Sequence, residues 1–73
     1  MPPRKPTLPV DRVRDGVRER IEAGEWAPEE RLPPVGELAK QYDVSRTTMS
    51  KALHLLEGEG LLTIVQSWGV FRA

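Results

Sequence analysis

"LAKQYDVSRTTMSKALHLLEGEGLL", residues 38–62, is the stretch whose reading decides the fold. It reads as the end of one short helix, a tight turn at Asp43, and a second helix opened by Ser45, a good N-cap, and running to about Glu59. In that second helix Met49, Ala52, Leu53 and Leu56 recur at three and four residues and form a stripe for burial. Projecting the wheel at about 100° per residue puts Thr47, Ser50, Lys51 and His54 roughly opposite, with Arg46 and Thr48 flanking. This front carries no carboxylate before Glu57. A polar, weakly basic front on an apolar back suits a helix laid in the major groove of DNA while a small core holds its back.

The flanking sequence reads as support for that helix. Val35, Leu38, Ala39 and Tyr42 fall on one face of a preceding helix, 35–42. Asp43 tolerates the left-handed backbone that a sharp inter-helix turn needs, and Val44 plugs the turn. Upstream, "GEWAPEERLPP" (24–34) is a connector, with Trp26 expected in the core or as a lid and Arg31-Leu32 as a very short strand. Val10, Val13, Val17 and Ile21 mark a first helix over 10–23. Its charges are of mixed sign, Gly16 weakens it by about 1 kcal/mol relative to Ala, and Gly24 stops it. Residues 1–9 hold four prolines with Arg4 and Lys5. They read as an extended arm, either a plain terminus or one whose two cations touch phosphate.

Downstream, "GEG" (58–60) ends the reading helix, and "LLTIVQSWGVFRA" (61–73) is expected to form a hairpin with Gly69 at positive φ in its turn. Leu62, Ile64 and Phe71 are expected to close the core. Val65, Trp68 and Val70 are expected outside, as an apolar patch at the wing that marks an interaction surface, unless Trp68 folds back over the helix. The fold class is therefore mainly α with a small β-hairpin: a winged helix-turn-helix of three helices and a two-stranded wing, one domain over 10–73.

Composition limits the alternatives. Seventy-three residues make one small domain with a small core. The absence of cysteine rules out a disulfide or a Cys-based zinc site, and no apolar run has the length of a membrane span. Eleven basic residues balance eleven acidic ones, a mark against nucleic acid that shifts the question to where the charges sit. His54, the one histidine, has no ligand cluster around it in sequence, Ser45 and Ser50 lack a His or Asp companion, and "GEG" is no phosphate loop. No cofactor, metal or catalytic chemistry is expected.

The run "GEWAPEERLPPVGELAKQYDVSRTTMSKALHLLEGEGLL" resembles the DNA-binding domain of the GntR family of bacterial winged-helix repressors, and the likeness extends over about residues 10–73. The resemblance implies a cytoplasmic, ligand-controlled dimeric repressor reading a palindromic operator in double-stranded DNA. Ser45, Arg46, Thr47 and Thr48 match the family's contact positions, with Gly69 in the wing. Arg46 can bond a phosphate, or a guanine through N7 and O6. The sequence departs from the family at Pro34, where a capping serine is usual, at Asp43, where glycine is usual, and at Gly36, Ser50, Val65 and Trp68, where cations are common. The family's effector and dimerisation domain does not lie in these residues, so they are expected to be monomeric or weakly dimeric alone. Two function classes follow: a DNA-binding transcriptional regulator, and a protein-interaction module that uses the apolar wing for self-association or another partner.

Overall fold

The computed structural model describes residues 8–73, so Arg4 and Lys5 and most of the expected arm lie outside the described residues. Three helices are followed by a hairpin: α1 Val10–Glu22, α2 Val35–Tyr42, α3 Arg46–Gly58, β1 Leu62–Val65 and β2 Gly69–Arg72. Each helix buries the stripe its periodicity marks. Val13, Val17 and Ile21 from α1, Leu38 and Ala39 from α2, and Met49, Ala52, Leu53 and Leu56 from α3 meet in one core with Trp26, Leu32, Leu62 and Val70. Val35, Tyr42, Val44 and Ile64 pack at its edge.

Local chemistry sets the boundaries. Asp43 takes φ 55° and ψ 45° at the end of α2, the left-handed conformation that turns the chain into α3. The Ser45 hydroxyl then accepts the Thr48 backbone N–H at 3.1 Å and caps α3. At α2 the cap position is Pro34, which offers no side-chain hydrogen bond. Gly16 sits under an aromatic ring: a Cβ there would stand 3.0 Å from Tyr42 Cε2, so its cost in helix propensity gives α2 a close approach to α1.

Arg20 fixes that approach. Its guanidinium lies 4.8 Å from the Trp26 ring centroid and 5.8 Å from that of Tyr42. It donates to the Glu25 carboxylate, to Gln41 Oε1 at 2.9 Å and to the Tyr42 hydroxyl at 3.3 Å. One planar cation thus joins α1, the connector and α2. The bond to Glu25, with a smaller contribution from Tyr42, holds the Arg20 pKa above its ordinary value, and Arg20 in turn draws the Glu25 carboxyl below its own.

The hairpin is antiparallel, pairing Leu62 with Arg72, Thr63 with Phe71, Ile64 with Val70 and Val65 with Gly69. This register corrects two expectations. Val70 shares a face with Leu62 and Ile64 and is buried at 5% exposure, so it belongs to the core and not to an outer patch. Phe71 stands on the other face with Thr63 and is only half-buried. The cause is long-range. The connector runs along β2, with Leu32 N–H donating to the Val70 carbonyl at 2.8 Å and Arg72 N–H to the Glu30 carbonyl at 2.9 Å. That pairing brings Leu32 in beside Val70 and fixes the inward face of β2. The expected strand at Arg31-Leu32 is a single bridge between Arg31 and Phe71.

Two outcomes follow for the core and the clamp. Leu53→Ala should lower stability by about 2–5 kcal/mol, the range for a buried leucine, read from chemical denaturation. Glu25→Gln should lower the melting temperature at neutral pH. Because the Glu25 pKa is depressed on folding, the deficit should persist above the unfolded carboxyl value and vanish as pH falls through the folded one.

Candidate nucleic-acid interface

Burial on one side of α3 dictates exposure on the other. Arg46, Thr47, Lys51 and His54 are exposed and Ser50 is half-buried, on the surface opposite Met49, Ala52, Leu53 and Leu56. Ser45 and Thr48 are occupied with each other: besides the cap, the Ser45 hydroxyl donates to Thr48 Oγ1 at 3.1 Å. They therefore shape the helix start, and Ser45 also remains exposed beside it. Val35, Arg46, Thr47, Ser50 and Lys51 line an open groove where the first turn of α2 meets α3.

Gly36 determines how Arg46 sits in that groove. A Cβ on Gly36 would lie 2.6 Å from Arg46 Nη2, 2.8 Å from Nε and 2.9 Å from Cζ, contacts no real side chain makes. The guanidinium is therefore laid flat on the glycine, across the two helices of the motif. His54 lies further along the face, its Nδ1 3.9 Å from Glu57 Oε1. The other Glu57 oxygen accepts the Ile64 backbone N–H at 2.9 Å, which ties the end of α3 to β1.

The zero net charge hides an uneven distribution. On α1 three of the four arginines are neutralised internally: Arg14 pairs with Asp15, Arg18 with Asp15 and Glu59, and Arg20 with Glu25. Arg72 donates to the Trp26 carbonyl. Among the described residues no ion pair holds Arg46 or Lys51 on α3, or Arg31 beside the hairpin. Arg12 and Lys40 are likewise unpaired, on α1 and α2. The cations left for an outside partner thus include both that α3 presents.

The wing turn spans Gln66, Ser67 and Trp68, closed by Trp68 N–H to the Val65 carbonyl at 3.0 Å. Gly69 takes φ 125° as expected, and Ser67 also adopts positive φ, at 70°. Trp68 is 71% exposed, so it does not fold back over the helix, and Val65 is 39% exposed. With Val70 in the core, the expected three-residue patch reduces to these two side chains. Sequence reasoning missed the nearness of Arg31 to the wing. Its position in the connector gives no signal of nearness to the wing, which depends on the pairing of the connector with β2.

The model of the bacterial regulatory proteins of the gntR family matches residues 9–71. The chain belongs to the GntR family. Within that family it is 39% identical to the histidine utilization repressor of Klebsiella aerogenes over 72 residues, 97% of this chain and 30% of the relative. It is 42% identical to the HTH-type transcriptional regulator TreR of Bacillus subtilis over 53 residues, 73% of this chain and 22% of TreR. The chain thus spans less than a third of the length of these GntR-family relatives. In three dimensions it is similar to the DNA-binding domain of AraR in complex with operator ORE1, with a TM-score of 0.85, 34% identity, and coverage of all of this chain and 93% of that one. That likeness bears out the winged helix-turn-helix of three helices and a two-stranded wing.

Ser45→Ala removes the α3 cap and should cost about 1 kcal/mol, measured as a shift of the denaturation midpoint with the slope unchanged.

Proposed function

We propose that this chain is the DNA-binding part of a bacterial transcriptional regulator, a repressor of GntR type, that reads the major groove of double-stranded DNA with α3. The observation that carries this is the exposed start of α3, where Arg46 and Lys51 stand beside Thr47 and Ser50 without carboxylate partners among the described residues, on a scaffold superposing on an operator-bound domain. In such a helix-turn-helix the N-terminal part of the second helix meets base edges while the first crosses the backbone. Arg46 and Lys51 supply charge, Thr47, Ser50 and His54 supply hydrogen-bonding groups, and Ser45 and Thr48 hold the helix start at the phosphates. Gly69 keeps the wing turn narrow.

The same likeness to regulators supports the repressor role, a place in the cytoplasm and a part played by binding. Among the described residues no helix is long and apolar enough to cross a membrane, and no group of His, Cys, Asp and Glu is arranged to hold a metal. The protein-interaction reading loses ground with Val70, whose burial leaves the wing without a continuous apolar face.

A gel-shift or anisotropy titration against a pool of random duplexes at low and moderate salt tests the proposal. The wild-type chain should bind, with log K falling against log salt by about 0.9 per phosphate neutralised. Arg46→Ala should weaken binding by about 1–3 kcal/mol with an unchanged melting temperature. Wild-type affinity in Arg46→Ala would remove α3 from the role of reader.

A further inference from the structure

The wing turn of this chain, Gln66-Ser67-Trp68, carries no cation, and Arg72 on β2 is engaged by the Trp26 carbonyl. One free guanidinium nevertheless lies at the wing. The bridge from Arg31 to Phe71 and the Leu32 N–H bond to the Val70 carbonyl carry Arg31 to the outer edge of β2. There a Cβ on Gly69 would stand 2.7 Å from Arg31 Nε, 3.2 Å from Nη2 and 3.3 Å from Cζ. The guanidinium is laid on the bare Cα of the residue that closes the wing turn. Gly69 is required there twice over, by φ 125° and by this contact. Arg31 is exposed and, among the described residues, makes no ion pair or side-chain hydrogen bond, so its donors remain for something outside the chain.

We propose that Arg31 is the wing's phosphate contact. Its side chain reaches the wing from the connector, and its planar fork matches a backbone phosphate of the duplex beyond the groove read by α3. The glycine seat limits its reach toward base edges, so the contact adds affinity and register and carries no sequence preference. This rests on the DNA-binding proposal above and extends it to a residue outside the helix-turn-helix.

The test compares the wild-type chain with Arg31→Gln and Arg31→Lys on one duplex recovered from a random pool, titrated across a salt series. Arg31→Gln keeps a planar group on Gly69 and removes the charge. It should make the salt slope shallower by about one phosphate's worth, roughly 0.9, with melting temperature and recovered sequences unchanged. Arg31→Lys should retain the wild-type slope. A wild-type slope in Arg31→Gln overturns the contact. A changed preference at one base pair replaces it with base reading. A lowered melting temperature with weakened binding in both variants makes Arg31 a structural prop for the wing. If the wild-type chain binds no duplex, the DNA-binding proposal itself fails; binding by the wild type with no effect of Arg31→Gln sinks this inference alone.

Discussion

Burial of one stripe of α3 is the constraint on which the rest of the molecule depends. Met49, Ala52, Leu53 and Leu56 are almost wholly removed from water, and every other element contributes side chains to the core that covers them. Apolar burial is the main favourable term in a domain of this size, where little stability is in reserve. A helix anchored so completely on one side has its opposite side fixed in direction. The placement of Thr47, Lys51 and His54 on a common outer surface is thus a by-product of packing, and interface geometry is inherited from the core.

The distribution of charge completes that surface. Carboxylates neutralise Arg14, Arg18 and Arg20 of α1, and Arg20 is held further between two aromatic rings. The Arg18–Glu59 pair joins α1 to the end of α3, and the Arg20–Glu25 pair joins α1 to the connector. Among the described residues Arg46 and Lys51 have no such partner. A balanced composition is compatible with binding a polyanion when carboxylates pair with arginines of α1 rather than with Arg46 and Lys51 of α3. Two of the arginines without an ion pair among the described residues rest on glycine backbone, Arg46 on Gly36 and Arg31 on Gly69. That seating limits the freedom of a side chain otherwise costly to order.

Much of this was legible in the sequence, because helical periodicity, capping and left-handed turns are local. The spacing of Val13, Val17 and Ile21, the cap at Ser45 and the turn at Asp43 each follow from a few neighbouring residues. The inward face of β2 did not follow. A four-residue strand offers two alternations, and the choice of Val70 over Phe71 depends on the connector pairing along its edge. The same long-range pairing brings Arg31 to Gly69, so no local pattern announces it. Trp68 was ambiguous for a related reason: whether a turn residue folds inward depends on the room left by the core, and here Trp68 stays 71% exposed.

The bond from Ile64 N–H to the Glu57 carboxylate has a mechanical meaning. It joins the last turn of α3 to the first strand of the wing, close to where the short link at 59–61 already joins them. The two parts that would touch a duplex are thereby braced as one stiff angle bracket with a hydrogen-bonded gusset in its corner. A partner whose two contact points are spaced to fit the bracket meets it without first freezing a hinge, while a duplex bent or compressed away from that spacing strains the bracket. For a duplex held by both parts, shape would then count along with chemistry.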